Sequence, residues 1–343
     1  MIMTKHGVVI GAVIALCISV AQPGVTSGAS FAPVVPPTAR DRLDPAIPGT
    51  FQPTAAGNPE SALFGSVRTA QIGKHLFAQF HEGIDIAALQ RGARGLPMDD
   101  IRAVAAGRVG YINQQPGNSN YGNYVVLLHD DPLGQVYTLY AHLAAMSPDL
   151  RVGQAVDAGT VIGIMGHTPT ATIPVARAHL HFEVGVVANS RFNEWFRAQR
   201  LKPDHGLFNG LNLIGINPLE FFRARTPEGA VDFRHLMSSV PVAFELLIPS
   251  ARPLDYFRRY PLLWQGAPFT GGGMVLACSE DGVPLSGRVP SPDELRMAGG
   301  GKPVVIKADA AVLGRNGCRL VVCDNGRWRV GEKGIRWLEI LTY

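Results

Sequence analysis

The stretch RAHLHFEVGV, from Arg177 to Val186, places two histidines two residues apart. On an extended strand, side chains two apart share a face at about 6.6 Å, so His179 and His181 look the same way. One can then bind a metal while the other serves a reaction beside it. Such a pair alone is an ordinary surface or core feature, and its weight comes from what the rest of the chain adds. FHEGIDIAA carries His81 and Asp85 in a His-x-x-x-Asp spacing, and LYAHL carries His142. Imidazoles and a carboxylate gathered from separate strands are the ingredients of a catalytic zinc site. An unbroken strand would hold residues 81 and 85 about 13 Å apart, beyond the reach of one ion with ligand bonds near 2 Å. The chain must bend between them, and Gly83 offers the freedom to do so. A plainer reading of Asp85 is an ion pair with a nearby arginine.

The elements that would position these residues read as short strands. IRAVAAGRVGYI, NYVVLLHD and QVYTLYAHL are β-branched, aromatic or alternating runs bounded by Gly, Pro, Asn or Asp, and they predict an antiparallel sheet. Alternation puts Tyr140 and His142 on one face, the face of His179. RGARGLPMDD and QQPGNSNYGN are long turns expected at the rim of a cleft. RVGQAVDAGTVIGIMGHT, with glycines at 153, 159, 163 and 166, predicts tight turns between very short strands. It is no phosphate loop, because neither a lysine nor a helix pattern follows. His129 and His167 adjoin turns and are expected to be structural or surface histidines.

The blocks FHEGIDIA, GNYVVLLH, YTLYAHL, VGQAVDAGTVIG and HLHFEV occur in an order that resembles the lysostaphin-like, or LytM-type, zinc metallopeptidases, which cut peptide cross-links in bacterial cell walls. The resemblance spans roughly residues 62 to 222. It implies an all-β, mainly antiparallel fold, with the sheet bent into a groove and one zinc ion on its floor. By the same resemblance, His81, Asp85 and His181 are the metal ligands, His142 and His179 the catalytic pair, and a peptidoglycan peptide the substrate. No HExxH helix is present to supply a glutamate base. Glu183 lies two residues beyond His181 on the same face, where it either orients a histidine or is a surface residue.

Two stretches depart from the family pattern, TPTATIPVARA before HLH and SRFNEWFRAQRLKPDHGLFNGLN after HFEV. Neither removes a ligand, and both can reshape the groove. SRFNEWFRAQ predicts a short helix capped by Ser190, with Phe192, Trp195 and Phe196 on one face. NPLEFFRAR predicts another, with Asn217 as cap and Pro218 at the first helical position. A rival reading from another class is a wall-binding or hydrolase-activating module of the same fold without chemistry. Such a module is expected to lack a ligand, whereas all five positions here are filled.

The flanks complete the organisation. Residues 1–29 read as an export signal: Lys5 and His6 precede an apolar run from Val8 to Ala21 that is short for a membrane span. A periplasmic, secreted or wall-associated protein follows, with no stable membrane span after processing. Residues 30–60 are a Pro-rich linker or pro-segment, residues 61–225 the metallopeptidase-like domain, and residues 226–343 a smaller β-rich accessory region. A net charge of +4 over 343 residues is too small to suggest a nucleic-acid partner. In the last region, Asn316-Gly317 and Asn325-Gly326 predict the two turns of a three-stranded meander, and SPDELRMAGGG predicts a helix opened by a Ser291/Glu294 capping box and ending near Gly299. Cys318 and Cys323, five apart on one predicted strand, are too distant to pair, so a disulfide would join Cys278 to one of them.

Overall fold

The computed structural model describes residues 31–72, 75–297 and 301–343, and the predicted export signal lies outside them. A two-stranded hairpin, β1 (Val67–Ile72) and β2 (His75–Phe80), leads into β3 (Ile84–Ala87). There follow β4 (Asp100–Arg102), β5 (Gly107–Asn113), β6 (Tyr124–Asp131), β7 (Gly134–Ala141), β8 (Ala145–Met146) and β9 (Ala155–Val156). β10 (Val161–Ile164), β11 (His179–Val187) and β12 (Leu213–Ile216) complete this part. The main sheet runs β12-β11-β7-β6-β5-β9, with β3 also paired to β11, and every pairing in it is antiparallel. β4, β10 and β8 form a small antiparallel sheet of their own. The mainly antiparallel all-β architecture expected from the strand pattern is the one observed.

The sheet buries both faces, which explains why its strands read as nearly continuous apolar runs. Val125, Leu127, Val136, Tyr140, Leu180 and Phe182 pack into the larger core, while Tyr124, Val126, Tyr137, Leu139 and Ala141 form a second cluster on the opposite face. β11 is the strand on which the two sides meet. Over His179–Phe182 it pairs with β3, over Val184–Val187 with β12, and across its other edge with β7.

Two local features correct the simplest strand reading. Gly83 lies in the bend between β2 and β3, but what demands glycine there is proximity. A Cβ would fall 2.4 Å from the Phe182 carbonyl oxygen and 2.9 Å from the His181 ring. Tyr140, in turn, does not share a face with His142. Tyr140 lies opposite Phe182 in the core, and regular alternation would send His142 there too. Instead β7 ends at Ala141, and His142 takes a left-handed φ of +63°, which turns its ring away from that core. A non-glycine residue held in this region carries a conformational cost that its surroundings must offset.

Two short helices, α1 (Phe192–Ala198) and α2 (Pro218–Arg223), precede the C-terminal part. Asn217 caps α2 with Pro218 behind it, as predicted. α1 is not capped by Ser190, whose hydroxyl and backbone N–H both donate to Asp255 instead. Beyond it come α3 (Phe233–Ser239), β13 (Phe244–Ile248), α4 (Asp255–Arg259), β14 (Trp264–Gln265), β15 (Met274–Cys278) and β16 (Pro284–Arg288). The chain ends with α5 (Pro292–Met297), β17 (Val304–Ala308), β18 (Val321–Asp324), β19 (Arg327–Val330) and α6 (Glu332–Thr342). The second sheet runs β14-β16-β15-β13-β17. The Ser291/Glu294 capping box is present, with the helix closing at Met297 and Gly299 outside the described residues.

The expected meander is only half there. Asn325-Gly326 joins β18 to β19, but β17 pairs with β13 and not with β18, so Asn316-Gly317 turns a loop. Cys318 accordingly sits outside any strand, and Cys278, Cys318 and Cys323 are all free thiols. Contacts from this region brace the main sheet. The Tyr260 hydroxyl donates to the Gln135 carbonyl at 2.8 Å, the Arg259 guanidinium reaches the carbonyls of Val187 and Ala188, and the Asn189 amide donates to the Ile340 carbonyl. The Pro-rich stretch lies along the domain. Phe31 bridges Val231 and packs edge-on against Phe221, and Thr50 and Gln52 bond the free edge of β3.

His129 is a structural histidine. It is buried, with Nδ1 on the Ala106 carbonyl at 2.8 Å and Nε2 on the Thr138 hydroxyl at 2.9 Å. Burial pushes its pKa down to about 4, against about 6.5 in an unfolded chain. Between these values the unfolded chain binds a proton that the folded one refuses, so stability rises with pH. The melting temperature should therefore fall as pH is lowered from about 6.5 toward 4, and His129→Gln should flatten that dependence. An unchanged slope in the variant would refute the assignment.

Candidate metal centre

Pairing of β3 with β11 sets His181 directly opposite Asp85. Residues on the same face of adjacent strands lie about 5 Å apart, so both side chains project into one space. The bend at residues 81–83 then returns His81 to the same point. His81 Nε2, Asp85 Oδ1 and His181 Nδ1 are separated by 3.1 Å, 3.1 Å and 3.0 Å, and all three residues are buried. A tetrahedral zinc with bonds of 2.0–2.1 Å spaces its ligand atoms about 3.3 Å apart, so this triangle has nearly the size of one face of such a site.

The remaining ring nitrogens select which atoms are free to bind. His81 Nδ1 lies 3.0 Å from the Leu63 carbonyl and 3.2 Å from the Arg68 guanidinium; donation to the carbonyl leaves the Nε2 lone pair inward. His181 Nε2 lies 2.9 Å from Glu183 Oε1 and donates to that carboxylate, leaving Nδ1 inward. Asp85 Oδ2 is held by the Arg68 guanidinium at 2.5 Å. The ion pair offered as the plain reading of Asp85 is thus present, on the oxygen that faces away from the two imidazoles.

Electrostatics match this donor set. Burial would raise the Asp85 carboxyl, but the imidazoles of His81 and His179 and the hydrogen bond from His181 outweigh it and hold Asp85 well below the usual range. Burial alone would lower His181, yet its hydrogen bonds to Asp85 and Glu183 push it up to about 10. His81 is lowered, chiefly by burial. Three lone-pair atoms therefore converge on a point that wants a positive charge, whether a proton on His181 or a metal ion that displaces it.

His142 and His179 flank the triangle, their ring centroids 4.8 Å apart. His142 Nδ1 donates to the Thr168 carbonyl at 2.7 Å and His179 Nδ1 to the Arg177 carbonyl at 2.7 Å. Each therefore keeps Nε2 as the free nitrogen, and His179 Nε2 is 3.6 Å from Asp85 Oδ1. Burial lowers the pKa of both, His142 further because His179 and His181 stand beside it. Both rings are accordingly neutral near pH 7 and can take a proton at Nε2. All five residues singled out in the sequence thus come together.

Four further residues, Glu183, Tyr121, Tyr137 and Arg68, belong to the site. Tyr121 and Tyr137 donate to the two oxygens of Glu183 at 2.7 Å and 3.0 Å, and burial raises both phenols well above their usual range, so they remain donors. Glu183 is 1% exposed and is no surface residue. Arg68 is the fourth. Tyr137 and Glu183 follow from face alternation on β7 and β11, but Tyr121 and Arg68 reach the site only through tertiary folding. His167 bonds the Ile173 carbonyl inside its own loop and takes no part.

Residues 79–193 match the family model described as peptidase family M23. That segment, about a third of the chain, holds all five site residues and bears out the resemblance to lysostaphin-like peptidases. No curated protein sequence matches the chain. The catalytic domain of the antimicrobial peptidase lysostaphin from Staphylococcus simulans is 25% identical, covering 36% of this chain and 77% of that one, with a TM-score of 0.26. Csd3 from Helicobacter pylori is 21% identical, covering 55% of this chain and 34% of that one, with a TM-score of 0.31. The present chain thus spans about a third of the length of Csd3. A catalytic-domain mutant of the prophage-encoded M23 protein EnpA from Enterococcus faecalis is 22% identical, covering 40% of this chain and 88% of that one, with a TM-score of 0.24.

Glu183→Ala would strand two phenol donors and one imidazole donor in a buried space, each costing about 1–3 kcal/mol. Thermal or denaturant unfolding of the metal-free protein should show a loss of about 3 kcal/mol or more, and Glu183→Gln, which keeps acceptor oxygen, a clearly smaller one. Equal stability of Glu183→Ala and the parent would contradict this hydrogen-bond network.

Proposed function

We propose that the chain is a zinc-dependent endopeptidase that hydrolyses peptides of bacterial peptidoglycan, binding one ion through His81 Nε2, Asp85 Oδ1 and His181 Nδ1. The observation that carries this reading is the convergence of three buried lone-pair atoms 3.0–3.1 Å apart, beside two more imidazoles with free Nε2, inside the segment matched by a peptidase family. Two neutral imidazoles and one carboxylate would leave a single positive charge on a bound zinc ion, which would supply Lewis acidity toward a carbonyl or a water.

The chain's own residues then handle protons and orientation. His142 and His179, fixed as Nδ1–H tautomers, each offer Nε2 to accept a proton or, once protonated, to donate one toward a developing oxyanion or a leaving amine. Glu183 does not serve as base, because both its oxygens accept hydrogen bonds; it orients His181. Arg68 holds Asp85 with Oδ1 inward. The substrate assignment rests on the family, and export on the charged and apolar pattern of residues 1–29. Among the described residues no helix is long and apolar enough to cross a membrane.

Incubation of the purified chain with isolated cell walls, with and without a chelator, should release peptides identifiable by mass spectrometry only in the metal-replete sample. His181→Ala should lose both bound zinc and hydrolysis. His142→Ala and His179→Ala should retain zinc by metal analysis and lose turnover by about 100-fold or more. Peptide release that is indifferent to the chelator, or zinc loss on replacing His142, would overturn these roles.

A further inference from the structure

Backbone carbonyls orient His142 and His179, and both belong to the ends of the stretch 168–178, where the sequence departs from the family pattern. The Thr168 end is anchored locally. Its hydroxyl donates to the Leu143 carbonyl at 3.0 Å and accepts from the Asn123 N–H at 2.9 Å, and Gly122 packs so closely that a Cβ would lie 2.4 Å from the Thr168 carbonyl. The Arg177 end is a single 3-10 turn, Val175–Arg177, with no side-chain cap. Within this turn the Val175 carbonyl accepts the Ala178 N–H at 3.0 Å, whereas the carbonyls that follow it have no partner inside the turn.

Arg91 binds carbonyls along the whole turn. From the loop that follows β3, its Nη1 donates to the Val175 carbonyl at 2.8 Å and to the Gly95 carbonyl at 2.9 Å, while Nη2 reaches the carbonyls of Ala176 and Ala178, each at 3.3 Å. Of the four consecutive carbonyls from residue 175 to 178, three face this guanidinium and the fourth, that of Arg177, receives the His179 Nδ1 proton. We propose that Arg91 is a positioning residue: by gripping the carbonyls on either side of Arg177, it aims the Arg177 carbonyl at His179 and so fixes that histidine's tautomer and ring plane. The kinetic half of this proposal rests on the endopeptidase reading; the structural half does not.

A planar guanidinium can serve several carbonyls at once, whereas a lysine ammonium gathers its donors at one point and cannot span them. Arg91→Lys should therefore restore only part of what Arg91→Ala loses. A misdirected catalytic group lowers turnover far more than binding.

The test uses the full zinc-loaded chain labelled with 15N-histidine, the His179 signals being assigned by comparison with His179→Ala. The parent should show a single Nδ1–H tautomer at His179. Arg91→Ala should show a mixture of tautomers, a fall in kcat of about tenfold or more, KM within about twofold and unchanged zinc content, with Arg91→Lys in between. Arg94→Ala, on the same loop, should match the parent in every measurement. An unaltered His179 pattern in Arg91→Ala overturns the proposal, and so does a raised KM or lost zinc with kcat preserved. If the parent cleaves no wall peptide, the endopeptidase reading fails, and the 15N pattern alone decides the role of Arg91.

Discussion

Acceptor atoms crowded together away from water repel one another unless a positive charge lies among them, and this constraint governs the molecule. His81, Asp85 and His181 present three such atoms within hydrogen-bond distance, with 2%, 3% and 5% of their surfaces exposed. Leaving a buried carboxylate uncompensated costs several kcal/mol. The surrounding fold therefore directs each outer atom to a partner of its own: Leu63 for His81, Arg68 for Asp85, Glu183 for His181. What remains inward is a set of lone pairs with a defined direction.

Holding that arrangement requires rigidity on every side of β11. Its two edges are paired with β3 and β12 on one side and with β7 on the other, so neither the HLH segment nor Asp85 can slip in register without breaking a ladder. The sheet is packed on both faces, and the chain on either side of the matched segment adds to it. Thr50 and Gln52 close the outer edge of β3, Tyr260 ties down β7 and Arg259 the end of β11. The flanking regions thus support the strand that carries His179 and His181.

Local conformation at the site departs from what regular strands would do, and each departure places a functional atom. The left-handed turn at His142 takes its ring out of the core face assigned to it by alternation. The bend at Gly83 brings His81 back toward His181 through a gap that has no room for a side chain. Both histidines beside the triangle are oriented by backbone carbonyls, that of Thr168 for His142 and that of Arg177 for His179.

The antiparallel sheet and the five site residues are legible in the sequence, the sheet through near-neighbour rules and the residues through those rules together with the order of the blocks. Period-two alternation put His179, His181 and Glu183 on one face, and the block order carried the remaining histidines and Asp85. Those rules stop at single residues and distant partners. Alternation alone sets Tyr140 and His142 on a common face, because one positive φ leaves no mark in the apolar pattern. Ser190 reads as a cap because its competitor, Asp255, lies 65 residues away. Asn316-Gly317 looked like a hairpin because the true partner of β17, β13, is some sixty residues earlier in the chain. Residue types, spacing and the order of the blocks thus pointed to the five residues that meet here and to the sheet that carries them. Only the tertiary structure decided which nitrogen of each ring faces inward, that Arg68 and Tyr121 support the site, and that Arg91 meets the turn before β11, because those contacts depend on where distant segments pack and not on what lies beside them in the chain.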